Sequence, residues 1–482
     1  MRPEDVYAIL KKDISNITNQ IKRYGIRFSG SANTGATVTR TYDAVGLVAG
    51  VGTDTQTATN DFDNIYPWSA RRRCCGGWNS DGVFVVNAYK GEPGYATDGS
   101  NGEVWVENSL FYYKHFYDDG VEEIDICAVQ LPGYQPAPIF LNSDGTLRQK
   151  AYTAAYPMAT VNGSPTSRSG VFADTYSQIS GMAAAKTLGE KYCITTTAEW
   201  YTELIMMVVE FGTRNLQTVM AGATGMPYTA ADTATVAETS TNRIIVANAT
   251  ANKYVLGQSI GIGASHGSTS IANNRIVTAI ETYDTDNKSI TFDGAAVDIA
   301  VGNVVWTTGW KNGSCDTVLS SSGSYISNSD GRHNCMYRGR EKPYGNFFET
   351  NSDILFSRTG EGTEQSPYAY DIYYLDDITK YNAGTLTNDY IKLTYNIPVT
   401  DGYVKTLGYD ERYPWLRLPD SVGASTVTYY SDYYYYPRYA LCAGRVGGSW
   451  FSGAFAGLLY WNCYFAPSDS FVHSRARLSY KP

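Results

Sequence analysis

The sequence predicts an α+β protein whose body is rich in strands and loops and carries a few helices. Three observations lead there. Glycine (46) and tyrosine (41) are abundant while charged residues make up only 18%, a mixture that suits turns and pleated surfaces. Short alternating runs recur over residues 226–309. Two segments, at the N-terminus and near residue 200, combine helical periodicity with capping signals.

The length of 482 residues allows about two to four domains and a large core. A net charge of -9 disfavours nucleic acid or an anionic membrane as partner. No run approaches the ~20 apolar residues of a membrane span; Leu204 to Val209 is the longest tight cluster. The start, Met1-Arg2-Pro3-Glu4-Asp5, has acids where a secretion signal needs cations, so no export by that route is expected. Eight cysteines (Cys74, Cys75, Cys127, Cys193, Cys315, Cys335, Cys442 and Cys463) lie scattered without C-x-x-C pairs, which fits a reducing compartment rather than a disulfide framework or zinc site. His115, His266, His333 and His473 show no metal-ligand spacing.

Residues 1–24 read as an N-terminal helix. Pro3 suits its first position, Glu4 and Asp5 its positive end, and Lys22 and Arg23 its last turn before Gly25. Tyr7, Leu10, Ile14, Ile17 and Ile21 step by three and four, a coiled-coil seam whose isoleucines favour three strands. The segment is expected to join copies as a homotrimer or attach them to a larger assembly; docking on its own domain is the alternative. Residues 25–63 read as a small β segment or linker, with Thr37 to Tyr42 alternating as a strand.

The main domain is expected over 64–227 and 310–482. Arg71, Arg72 and Arg73 form an isolated basic triplet in an acidic chain, so a structural role is expected. Glu103 to Glu107 and Phe111 to Lys114 read as a strand pair. Thr196 and Glu199 have the spacing of a capping box, opening a helix to Phe211 with Gly212 as its stop. Leu204, Ile205, Met207, Val208 and Phe211 would give that helix one broad apolar face. Residues 228–309 read as an inserted β-barrel or sandwich, with strands at 244–246, 254–256, 275–280, 289–292 and 304–306. Between Tyr337 and Glu349, Pro343 and Gly345 fix turns while Asn346 and Glu349 suit bonding to exposed backbone.

The organising stretch is the C-terminus. A tyrosine-rich run from Tyr429 to Tyr439 leads to Arg445-Val446-Gly447-Gly448-Ser449-Trp450. Beyond it, glycines alternate irregularly with Phe451, Phe455, Tyr460, Trp461, Tyr464, Phe465, Phe471 and His473, before Ser474-Arg475-Ala476-Arg477-Leu478. Large semi-polar rings on glycine-rich loops describe a contact surface, because tyrosine and tryptophan offer wide amphipathic contact at low entropic cost.

These motifs resemble the retroelement-diversified variable proteins of phages and some bacteria, whose C-type-lectin fold is of the formylglycine-generating-enzyme type. The run Tyr337-Arg338-Gly339-Arg340-Glu341-Lys342-Pro343-Tyr344-Gly345-Asn346-Phe347-Phe348-Glu349 is similar to a family pattern, with Lys342 where that pattern has asparagine. Residues 39–47, 102–107, 111–114, 210–215 and the Gly447-Gly448-Ser449-Trp450 turn are also family-like, and the likeness covers roughly 35–227 and 310–482. It implies a C-type-lectin-like domain interrupted by the small all-β insertion and preceded by the N-terminal coiled-coil helix.

The resemblance also implies a function. Adenine-directed mutagenesis in that family turns asparagine codons into other residues. Phe451, Ser452, Ala454, Phe455, Leu458, Tyr464, Phe465, Asp469, Phe471, His473 and Ser474 are all permitted products, Leu458 being the one most expected in the frame with Gly447, Gly448, Trp450, Trp461, Asn462 and Pro467. The expected ligand-binding set is therefore Tyr439, Phe451, Ser452, Ala454, Phe455, Tyr464, Phe465, Asp469, Phe471, His473 and Ser474. The expected role is a phage receptor-binding or tail-fibre tip protein, on the virion, that grips a bacterial surface protein or glycan, with the N-terminal helix joined to other virion proteins. A bacterial surface-displayed binder and an architectural virion component are the alternatives. Oxidase relatives of the fold hold copper on a cysteine pair near this turn; here Cys442 and Cys463 flank it 21 positions apart and Val446 follows Arg445, so neither enzyme activity nor a cofactor is expected. Asp330, Asn328 and Asn334 carry oxygens that calcium could use, but polar turns explain them equally and no metal is expected.

Overall fold

A computed structural model describes residues 21–363 and 365–482. The architecture is mostly β, with strands at 39% and helix at 10%, and this corrects the expected α+β class with its C-type-lectin-like domain; nothing among the described residues supports the expected N-terminal coiled-coil helix. The α-helices among the described residues are Gln178–Lys186, Thr197–Phe211 and Asn248–Ala251, and the strands lie in many mostly antiparallel sheets. The expected coiled-coil seam lies outside the described residues except for Ile21, which stands in a bend. Arg23, expected in the last helical turn, instead opens the strand Arg23–Ser29. The reason is alternation: Tyr24, Ile26 and Phe28 are buried, and period two points them to one face.

That strand pairs antiparallel with Val38–Tyr42 and with Val121–Cys127, inside a five-stranded sheet that also holds Tyr112–Asp118. Gly25 is needed there, because a Cβ would lie 2.1 Å from an Asp125 carboxylate oxygen and 2.2 Å from Thr41 Oγ1. The strands Glu103–Ser109 and Tyr112–Asp118 do not pair with each other as expected. The first joins Arg72–Trp78 and Lys150–Ala154, and the second joins Val121–Cys127.

Helix Thr197–Phe211 begins with both reciprocal bonds of a capping box between Thr196 and Glu199 and stops at Gly212, whose φ of 67° is left-handed. One apolar face was expected, yet every residue from Thr197 to Glu210 is buried. Its acids explain how this is tolerated. Glu203 accepts from Arg71, and Glu210 receives Arg338 through Nε and Nη2, each at 2.7 Å, together with Tyr337 and Asn60. Arg73 bonds Asp316 at 2.5 Å and Arg72 pairs with Glu107 at 3.3 Å, so the basic triplet is structural.

Residues 243–309 build a five-stranded antiparallel sheet ordered Arg243–Ala247, Asn287–Phe292, Ala272–Thr282, Ser259–Gly263 and Val304–Gly309. Ile244, Val246, Ile260, Ile262, Ile290, Phe292 and Val305 form its core. Tyr254 to Leu256, read as a strand, is loop and turn. Tyr254 is buried and donates to Val305 O at 2.9 Å, an anchoring side-chain bond in place of a ladder.

The largest sheet has nine strands. Its central members run Phe348–Thr359, Leu441–Gly447, Gly457–Asn462 and Tyr433–Tyr435, with Ser474–Arg475 added parallel to the first. Beneath it lies a buried ionic clamp. Glu349 accepts from Arg340 at 2.6 Å and from Arg477 at 3.2 Å; Arg477 also donates to Glu341 O at 2.8 Å. This ties the last strands to the 337–349 run. Lys342, the departure from the asparagine of the family pattern, sits at φ 58°, where asparagine is favoured. Its Nζ reaches Trp310 O at 2.9 Å and Asn312 Oδ1 at 3.0 Å, contacts asparagine is too short to make.

Candidate ligand-binding surface on the C-terminal strands

Two neighbouring strands, Leu441–Gly447 and Gly457–Asn462, carry the loops 448–456 and 463–473. In the first loop Gly447 and Gly448 take φ of 88° and 77°. A Cβ on Gly448 would come within 2.6 Å of the Ala456 Cβ, so only glycine permits this approach. Ser449 N donates to Ser452 Oγ at 2.8 Å, Met226 N to Trp450 O at 2.7 Å and Gly453 N to Thr224 O at 2.8 Å. The second loop is tied by Ala443 N to Phe465 O at 3.0 Å, by Ile179 N to Pro467 O at 3.2 Å and by Phe348 N to His473 O at 2.9 Å. Ala466 N donates to Asp469 Oδ2 at 3.0 Å and Arg445 Nη2 to Asp469 O at 2.5 Å. Both loops are thus held by backbone bonds together with the Ser452 and Asp469 side chains, which leaves the ring-bearing positions free to differ.

Those side chains form a continuous belt of rings. From one end, Tyr439 meets Tyr464 (6.1 Å between centroids), Tyr464 meets Phe465 (4.6 Å), Phe465 meets Phe471 (4.4 Å) and Phe471 stacks on His473 (5.6 Å). His473 meets Phe451 edge-on at 5.0 Å, and Phe451 stacks on Tyr228 at 5.2 Å. Beneath the surface, buried Phe348, which meets His473 at 5.0 Å, and buried Tyr460 link these rings to Tyr435, Tyr433 and Phe455, which stacks on Tyr433 at 4.3 Å. Phe451 is 45% and Tyr439 48% exposed; Tyr464, Phe465, Phe471, His473 and Phe455 are half-buried and Ala454 is exposed.

Not every expected position faces outward. Ser474 is fully buried in the strand Ser474–Arg475, because parallel pairing with Phe348 turns it beneath the sheet; it is corrected from surface to frame. Ser452 and Asp469 are half-buried and hold turns. Leu458, Gly447, Gly448, Trp450, Trp461, Asn462 and Pro467 are buried. Sequence reasoning missed Tyr228, the buried link Phe348, and Tyr403, whose ring meets Tyr433 at 5.1 Å and Phe455 at 5.6 Å. Tyr433 and Tyr435 were visible in the tyrosine run, where alternating burial around sealed Tyr434 marks a strand.

Under the belt, Arg445 is fully buried with its carbon Cζ 4.9 Å from the Phe465 ring centre and 5.7 Å from that of Phe471. Burial pulls its pKa down to about 10, against the pull of Asp469, so it stays cationic at neutral pH. Burial, with Arg475 and Arg445 nearby, pushes His473 down to about 3; it faces a ligand as a neutral ring. Behind the strands, Asp432 Oδ2 accepts from Leu459 N at 2.6 Å, and burial lifts its carboxyl to about 8.

Cys442 and Cys463 are free and buried, and burial raises both thiols. Among the described residues no group of three or more His, Cys, Asp and Glu is arranged to hold a metal. Asn328 donates to Gly222 O at 3.2 Å and His333 O at 2.6 Å, and Asp330 accepts from Arg332 N at 3.1 Å; both are occupied in turns. No helix among the described residues is long and apolar enough to cross a membrane. The chain matches no protein-family model and no curated protein.

Proposed function

We propose that this chain is a receptor-binding protein of a phage tail or fibre tip that captures a bacterial surface molecule on the aromatic belt of its C-terminal loops. The observation that carries the reading is the separation of tasks within loops 448–456 and 463–473. Backbone bonds and buried glycine, tryptophan and arginine residues hold the loops, while Phe451, Tyr464, Phe465 and Phe471 show ring surface to solvent. Rigid support under exchangeable aromatic side chains is what a binding site needs to stay ordered while its specificity changes. The resemblance of the 337–349 run and the Gly-Gly-Ser-Trp turn to diversified variable proteins points the same way.

A single belt is expected to bind in the micromolar range, on the order of -8 kcal/mol, with several copies on one particle supplying avidity. Restoring asparagine together at Phe451, Tyr464 and Phe471 removes three rings while keeping the loop backbone bonds. Adsorption to the host should then fall by at least about tenfold, since one aromatic hot spot among the three is worth about 2 kcal/mol or more. Unchanged adsorption by a folded triple variant would defeat the proposal.

A further inference from the structure

A second concavity lies between the hairpin of Tyr112–Asp118 and Val121–Cys127 and the hairpin of Gly402–Leu407 and Pro419–Val422. Its volume is about 610 Å³, within the range of small-ligand sites. Three cations, Arg214, Lys405 and Arg417, and two carboxylates, Glu122 and Asp420, line it, giving a positive lining in a chain whose net charge is -9.

The carboxylates are already committed. Glu122 is buried, bonded to Arg214 Nη2 at 2.5 Å and to His115 Nε2 at 2.7 Å, and it accepts from Tyr430. Asp420 accepts from Thr406. The cations are less fully engaged: Arg214 spends one nitrogen on Glu122 and lies 4.1 Å over the Phe28 ring. Arg214 is 4% exposed, yet its Nε and Nη1 have no acceptor. Arg417 donates to the carbonyls of Pro414 and His115 at 2.9 and 3.1 Å and lies over the Tyr409 ring at 4.8 Å. Lys405 stands 5.6 Å from the Tyr429 ring centre. Among the described residues neither Arg417 nor Lys405 is paired with a carboxylate. Arg417 and Lys405 thus hold positive charge at the concavity with no carboxylate paired to either, and an anion placed there would be drawn to both.

We infer that this concavity is a binding site for a small anionic saccharide, its carboxylate or phosphate drawn to Lys405 and Arg417, with Arg214 buried behind them, and its ring packed against the side of Tyr409 and Tyr429 that the cations leave open. The two tyrosines supply amphipathic surface, and Asp420, which keeps lone pairs beyond the bond from Thr406, suits a hydroxyl group. The inference does not rest on the assignment of the belt.

The test is calorimetric titration of the full chain with glucuronic acid, glucose 6-phosphate and glucose. At least one of the two acids should saturate a single site and bind about tenfold or more tighter than glucose, because hydrogen bonds to charged groups are worth about 1.5–3 kcal/mol; which acid is tighter separates carboxylate from phosphate. Lys405→Gln and Tyr409→Ala alter exposed side chains and should each weaken the acid several-fold. Arg417→Gln serves as a third variant, with circular dichroism confirming its fold. Binding of glucose as tight as either acid, no binding of either acid, or binding unchanged in both Lys405→Gln and Tyr409→Ala would overturn the inference.

Discussion

Trp450 and Phe451 are adjacent, both large and aromatic, and assigned opposite tasks; substituting each with asparagine separates frame from grip without knowing the receptor. Trp450 is 1% exposed and packs with Ala223, Met226, Trp310 and Phe347. Its removal creates a cavity costing about 3–5 kcal/mol, and a buried amide without partners adds about 1–3 kcal/mol. That consumes much of a typical stability of about 5–15 kcal/mol. Phe451 is 45% exposed, so just over half of it is covered, roughly 110 Å² of the ~200 Å² such a ring buries when sealed. At about 25 cal/mol per Å² the covered part is worth about 2.8 kcal/mol, an upper bound because the unfolded chain also hides surface. Asparagine at 451 can turn its amide to water and incurs no burial cost. Urea unfolding followed by far-ultraviolet circular dichroism should show a midpoint shift for Phe451→Asn equivalent to no more than about 2.8 kcal/mol, and a clearly larger shift or loss of fold for Trp450→Asn. Equal losses would mean that Phe451 is core, and the belt would not be a binding face.

Two further outcomes follow from the frame. Glu349→Ala leaves Arg340 and Arg477 facing each other in the interior without their shared carboxylate, and should destabilise by about 3–5 kcal/mol, read as a lowered urea midpoint and earlier proteolysis within the last strands. Asp432 has a folded-state pKa raised to about 8 from 3.8, so above pH ~4 the native state holds a proton that the unfolded state releases. Its contribution is complete below the unfolded pKa and is lost as pH rises through 8. Asp432→Asn, neutral throughout, should shrink the difference in urea midpoint between pH 5 and pH 8, and an undiminished difference would count against the assigned protonation.

Features written within a few neighbouring residues were legible in the chain: the Thr196–Glu199 cap and Gly212 stop, most strands of the 243–309 sheet, the turn at Gly447 and Gly448, and the aromatic character of residues 451–473. These depend on φ preferences and on hydrogen bonds that close within one helical turn. Other features depend on what comes to lie beside a residue from far along the chain. Helix Thr197–Phe211 is buried on every side because Arg71 and Arg338 neutralise its acids, and Arg23 joins a strand because Val121–Cys127 supplies an open edge. Fold class shifted for the same cause, since several small sheets outweigh one core helix. At the belt, His473 and Ser474 are neighbours with opposite fates, since pairing with Phe348 turns one side chain up and the next down, and Tyr228 reaches Phe451 across more than two hundred residues. Local chemistry chose the side chains of this surface; long-range packing selected which of them meet solvent.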